Sequence, residues 1–231
     1  ESHGASFKNK KLGSFGYISN FSFYYAHHMS TIEGGMICTN NKLVYEKARM
    51  LRSHGLVREI DDLALKKSYF KKHKDLNPQF IFALPGLNVR NNELGAILGI
   101  NQLNRLDKNI KKRNQNHIYF LNKINKSKFY TDFDLSGSSN YAFNLIMKEK
   151  NIEFANKLMK NLTKNEIEFR RGSVGGGNQL RQPYLKEFLK KNELQKYPIT
   201  EHVHFFGFYL GNYPDLSKKN IDFICKIINE T

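Results

Sequence analysis

The sequence predicts a mixed α and β fold that closes in a small α+β domain. Three observations predict it. Short β-type runs separated by turns fill residues 13–40 and give way to a capped helix. Helical apolar spacing then covers 91–124. After Lys128 the pattern changes, and short strands alternate with helices to the end of the chain.

In chain order, β-type runs fall at 17–19 and 21–24, Glu33-Gly34-Gly35 turns the chain, and 36–39 returns as a strand. Asn40 caps a helix over about 41–54, which Gly55 ends in a left-handed conformation. Residues 56–85 are Lys-rich with few periodic apolar positions, and an irregular loop is expected there, covering a site or a partner. Asn91-Asn92-Glu93 opens a helix lined by Leu94, Ile97, Leu98 and Leu103, and a longer one follows with Leu106, Ile110, His117, Leu121 and Ile124 in register. Beyond it come a strand at 141–147, an amphipathic helix at 152–164 and a strand at 167–169. A Gly- and Gln-rich loop, a helix near 185–190, an aromatic strand at 203–210 and a terminal helix at 216–229 complete the chain.

Composition narrows the functional classes. With 40% hydrophobic and 25% charged residues the chain is globular rather than disordered. Its longest apolar run, 80–84, is far too short to cross a bilayer, and no basic-then-apolar leader is seen, so no membrane association is expected. The two cysteines, Cys38 and Cys225, form no CxxC pair and cannot supply four ligands, which argues against a structural zinc or iron–sulfur centre. Free thiols in a reducing cytoplasm are expected. The net charge of +16 invites an anionic partner, but 28 of the 37 basic residues are lysines spread along the chain, without the arginine and aromatic clusters of nucleic-acid readers. Nucleic-acid binding is therefore not expected.

The informative segment runs Phe21-Ser22-Phe23-Tyr24-Tyr25-Ala26-His27-His28 and on to Glu33-Gly34-Gly35. A strand delivers a hydroxyl and then two imidazoles into a loop. Adjacent side chains rarely share one metal ion and no acidic third ligand stands nearby, so no metal is expected. Spacing alone favours two surface histidines, and chemistry alone leaves the segment undecided.

The segment resembles the DegT/DnrJ/EryC1/StrS family of pyridoxal phosphate (PLP)-dependent sugar aminotransferases, which carry Ser-Phe-aromatic-x-x-Lys before a Gly-Gly turn. Met50-Leu51-Arg52-Ser53-His54-Gly55, Gly86-Leu87-Asn88-Val89-Arg90, Gly176-Gly177-Asn178-Gln179-Leu180-Arg181-Gln182-Pro183 and His202-Val203-His204-Phe205-Phe206-Gly207 are also similar to its segments. The resemblance implies α/β fold type I architecture, with 1–114 the C-terminal part of the PLP-binding large domain and 115–231 a smaller α+β C-terminal domain. It implies that Ser22 binds the cofactor phosphate, that Asn88 reaches the cofactor phosphate of a neighbouring subunit in a homodimer, and that Glu1 lies against the cofactor. Arg181, His202 and His204 become candidate substrate contacts, the two histidines facing one side if 203–210 is a strand.

At the family's lysine stands His27, which resembles the branch of nucleotide-sugar 3-dehydratases. Imidazole cannot form the stable covalent bond that lysine makes with PLP, but it exchanges protons near neutrality. The resemblance therefore implies dehydration at carbon 3 of a nucleotide-linked 4-keto-6-deoxy sugar, with pyridoxal/pyridoxamine phosphate as cofactor and glutamate as amino donor. A 4-aminotransferase of the same family and a noncatalytic remnant are the competing readings. In the family the Asp that pairs with the pyridine nitrogen precedes the position of Glu1, so the resemblance also implies a C-terminal portion of a longer enzyme. Each candidate has a plainer reading: Ser22 satisfied by backbone, Asn88 a turn residue, Arg181 a surface cation, the small-domain histidines packing.

Overall fold

The computed structural model describes residues 2–172 and 176–231. They divide into two compact units, residues 3–106 and 107–231.

The first unit opens with an antiparallel hairpin, β1 (Ser6–Phe7) and β2 (Lys10–Lys11). Lys8 and Asn9 between them both take positive φ, 47° and 61°, the geometry that a two-residue turn needs to match the twist of its strands. β3 (Ser19–Ser22) pairs antiparallel with β4 (Gly35–Cys38), with Ser19 opposite Cys38 and Ser22 opposite Gly35. The two runs expected at 17–19 and 21–24 thus form one strand.

Helix α1 (Lys42–Leu51) is capped by Asn41, whose Oδ1 accepts the Val44 N–H at 3.0 Å, rather than by Asn40. It stops before 54 because His54 as well as Gly55 is left-handed, with φ of 60° and 78°. The Gly55 N–H instead closes on the Met50 carbonyl at 2.7 Å.

The stretch 56–85 is not an irregular loop. It holds 3₁₀ turns at Val57–Glu59 and Pro78–Phe80 and a ten-residue helix, α2 (Leu63–Lys72). No α2 residue is fully buried, so the helix has no strong apolar stripe to read in the sequence. Its start is fixed by polar contacts. Asp62 accepts the Leu65 N–H, and the buried Glu46 carboxylate accepts the N–H groups of Asp61 and Asp62, each at 2.9 Å. Leu65, Tyr69 and Phe70 pack against a small core of Met50, Val57, Ile60 and Ile81.

The two helices expected after Asn91 are one, α3 (Glu93–Lys123), 31 residues long. No Pro interrupts it, and Gly95 and Gly99 are tolerated inside it.

The second unit is a four-stranded antiparallel sheet in the order β5 (Phe129–Tyr130), β6 (Ala142–Met147), β8 (Gly207–Gly211), β7 (Phe169–Arg171). Phe143, Leu145 and Met147 alternate onto its buried face. The end of α3, α4 (Ile152–Lys164) and α6 (Lys218–Asn229) supply the opposing side chains. Leu158 and Leu162 from α4 and Ile221, Cys225 and Ile228 from α6 recur at helical spacing, and Phe120 stacks on Phe143 at 4.4 Å. Asn151 and Ser217 cap the two helices.

Two expectations shift. The strand placed at 167–169 begins at Phe169, because Glu166 is left-handed and the Ile167 N–H returns to the Leu162 carbonyl to close α4. The aromatic strand placed at 203–210 is a helix, α5 (Pro198–Phe206), followed by the shorter strand β8. Pro198 at the first helical position and Glu201 in the first turn start that helix against the β propensity of Val203 and Phe205. Near 185–190 the chain forms a 3₁₀ turn, Pro183–Phe188.

Candidate functional site

The β3–β4 hairpin carries the histidines on an excursion pinched shut at its base. Phe23 donates to the Gly34 carbonyl and Thr31 to the Phe23 carbonyl, both at 2.9 Å. Thr31 Oγ1 donates to the Glu33 carbonyl at 2.7 Å. Gly34 has φ +150°, and a Cβ there would sit 2.6 Å from Thr31 Oγ1, so only glycine closes this turn.

Ser22 ends β3 with an exposed side chain, and its Oγ accepts the Tyr24 N–H at 3.3 Å. Among the described residues it donates to no protein acceptor, so the hydroxyl suits an anionic oxygen. Inside the excursion His27 donates its N–H to the Tyr24 carbonyl at 3.1 Å. The His27 imidazole is partly buried and that of His28 is buried. Both meet a third ring that the sequence reading did not single out: His3 lies edge-on to His27 at 6.2 Å and to His28 at 6.0 Å. The only local signal was a His-Gly pair ahead of a hairpin, and nothing in its spacing tied it to residues 27 and 28.

Two separately noted motifs lie side by side. Ser53 and Asn88 form an antiparallel bridge, flanked by hydrogen bonds from Leu87 to the Leu51 carbonyl, from His54 to the Leu87 carbonyl and from Val89 to the Arg52 carbonyl. Gly55 is obligatory at this crossing, since a Cβ would fall 1.8 Å from the Leu84 carbonyl oxygen. Asn88 is exposed, and its Oδ1 accepts from Arg90 Nε at 3.3 Å. The turn and this segment meet where a Gly34 Cβ would stand 3.5 Å from Asn91 Nδ2.

The second-unit candidates are already engaged. On α5, residues two apart point about 200° away from each other, so His202 and His204 do not share a face, contrary to the strand-based expectation. His202 Nε2 lies 2.6 Å from the Met147 carbonyl oxygen, and His204 Nδ1 accepts the Asn178 N–H at 3.1 Å. Arg181 pairs with the Glu201 carboxylate through Nε and Nη2 and lies 4.8 Å over the Phe205 ring. Arg181, and then Asn178 donating from its amide, hold the Glu201 carboxyl below its ordinary pKa. Burial pushes the His204 pKa down, helped by Arg171 and Arg181. Glu1 lies outside the described residues.

The fold and the hydroxyl–imidazole turn define a sugar-aminotransferase-like protein. The DegT/DnrJ/EryC1/StrS aminotransferase family matches residues 1–229, and the chain belongs to it. The GDP-4-keto-6-deoxy-D-mannose 3-dehydratase of Escherichia coli O55:H7 is 31% identical over 230 residues, 99% of this chain and 58% of that protein. The GDP-perosamine synthase of Escherichia coli O157:H7 is 27% identical over 239 residues, 100% of this chain and 56% of that protein. Among solved structures, a GDP-4-keto-6-deoxymannose-3-dehydratase with a trapped PLP-glutamate geminal diamine superposes with TM-score 0.72 at 28% identity, covering 97% of this chain and 58% of that one. The chain thus spans little more than half the length of these relatives. Among the described residues no helix is long and apolar enough to cross a membrane.

Proposed function

We propose that this chain is the histidine-bearing portion of an enzyme that removes the 3-hydroxyl of a nucleotide-linked 4-keto-6-deoxy sugar in deoxysugar and surface-polysaccharide synthesis, with pyridoxal/pyridoxamine phosphate as cofactor and glutamate as amino donor. One observation carries the reading: an imidazole, not an amine, sits on the excursion after Ser22, and no lysine occurs between Lys11 and Lys42. The likeness to two GDP-4-keto-6-deoxy-D-mannose 3-dehydratases supports it.

The residues present fit such a cofactor. The exposed Ser22 hydroxyl and Asn88 amide, with Arg90 beside the latter, suit a phosphate ester. When bound, the pyridine ring supplies the electron sink for bond breaking at the sugar. In this reading Ser22 holds the phosphate and Asn88 reaches the phosphate in a neighbouring protomer of a homodimer. With the cofactor bound, His27 would take the proton at C4′ and give it to the departing 3-hydroxyl, which leaves as water. Because an imidazole forms no stable bond to C4′, the cofactor is kept by contacts alone, which favours dehydration over net transamination.

These roles fall in the portion 1–114. In the portion 115–231 we assign Arg181 as the candidate contact to the nucleotide sugar and His204, which accepts the Asn178 N–H, as a support of the loop that carries it, while His202 ties α5 to the Met147 carbonyl. The test is to incubate the complete enzyme with GDP-4-keto-6-deoxymannose and glutamate. Ammonia and a 3-deoxy-4-keto sugar are expected. A 4-amino sugar without ammonia would make it an aminotransferase instead.

A further inference from the structure

We propose that His3 is a positioning residue for the proton-transferring turn: its ring acts by shape, as the floor against which the imidazoles of His27 and His28 rest. The inference rests on the role proposed above for His27.

His3 is 6% exposed. It stacks on Phe21 at 5.6 Å and 25° and on Phe23 at 5.8 Å and 18°. Phe21 and Phe23, two residues apart in extended chain, flank Ser22 and project opposite to it. The same imidazole meets His27 and His28 at steep angles of 68° and 73°, within the separation at which edge-to-face rings attract. A single ring therefore links the strand that places Ser22 to the turn that places His27.

The nitrogens of that ring are idle. Both are buried and neither has a hydrogen-bond partner among the described residues. Burial pushes its pKa down, which leaves the ring uncharged near neutrality. A neutral flat plate is what remains, and a plate matters because displacing a proton-transfer group by about 1 Å costs on the order of a hundredfold in rate.

The test uses the complete enzyme with His3→Phe and His3→Ala. Phenylalanine keeps a neutral plate and removes the idle nitrogens, whereas alanine removes the plate. His3→Phe is expected to keep kcat within about threefold and His3→Ala to lose about tenfold or more, with KM for the keto sugar unchanged in both. On cofactor-free enzyme labelled with ¹⁵N-histidine, the His27 titration midpoint should stay in place in His3→Phe and move in His3→Ala. That readout needs no turnover, so it separates a failure of this inference from a failure of the dehydratase reading. Should His3→Ala not fold, His3→Leu, which fills the volume without a flat edge, takes its place with the same expectations. The inference is overturned if His3→Phe is as damaged as His3→Ala, or if removing the plate leaves both kcat and the His27 titration unchanged.

Discussion

Lowering the pH from 7 to 5 is expected to destabilise the second unit by about 2 kcal/mol through His117 alone. This residue of α3 is 1% exposed, lies 6.0 Å from the Phe143 ring and has no partner for Nδ1 among the described residues. Burial pushes its pKa from 6.5 down to about 4, against a smaller upward pull from a hydrogen bond with the Ala142 backbone. Between those values the unfolded chain binds a proton that the folded core refuses. Stability therefore rises with pH across this window: the contribution is complete above about pH 6.5 and lost as pH falls toward 4. At about 1.4 kcal/mol per unit the full loss approaches about 3 kcal/mol, and about 2 of it has occurred by pH 5. The assay is urea unfolding by circular dichroism at pH 7 and pH 5, comparing the native sequence with His117→Gln, which cannot be protonated. His3 titrates in the same direction, so the quantity of interest is the difference between the two proteins' pH slopes. Equal losses of stability in both would refute the reasoning.

Changing His27→Lys in the complete enzyme should create a covalent cofactor bond that borohydride fixes to the peptide, and should nearly abolish dehydration. Recovery of a pyridoxyl-lysine peptide from the unmodified enzyme would contradict the proposed role of His27. Asn88→Ala should weaken cofactor retention by about 1.5–3 kcal/mol in equilibrium dialysis, the worth of a hydrogen bond to a charged group. An active enzyme that sediments as a monomer would remove the shared-site reading behind that estimate. Glu46→Ala strips the partners from the Asp61 and Asp62 N–H groups and should cost about 2–4 kcal/mol in urea unfolding, so a cost under about 0.5 kcal/mol would show that water replaces the carboxylate.

What the sequence made legible follows where its signals are local. The helix at 152–164 is legible to the residue because its apolar positions recur every three or four residues around Leu158 and Leu162, and the structure adds the Asn151 cap. The α2 helix was missed because its stabilising groups are far away in sequence: Glu46, fifteen and sixteen residues earlier, holds its entry. The α5 helix was misread because local β propensity at Val203, Phe205 and Phe206 outweighed the start signal of Pro198 and Glu201, and that error carried through to the histidines. A strand would have aimed His202 and His204 together. The helix sends one to the Met147 carbonyl and the other to the Asn178 N–H.

At the candidate site the division is the same. Ser22, His27 and the Gly-Gly turn lie within fourteen residues of one another and form one closed excursion, so their sequence pattern already describes a piece of geometry. Asn88 could be named from its own motif, but not the reason that Met50 to Gly55 accompanies it. That reason is a backbone crossing, with Gly55 pressed on Leu84 and Ser53 bridged to Asn88, and a sequence scan has no term for one chain segment forbidding a Cβ on another. His3 is the extreme case. Its contacts are to rings 18 to 25 residues away, its nitrogens make no hydrogen bond among the described residues, and its surroundings rather than its neighbours in sequence give it a role. Residues that act through shape on a distant turn leave the weakest trace in sequence, which is why the floor beneath His27 emerged only from the packing.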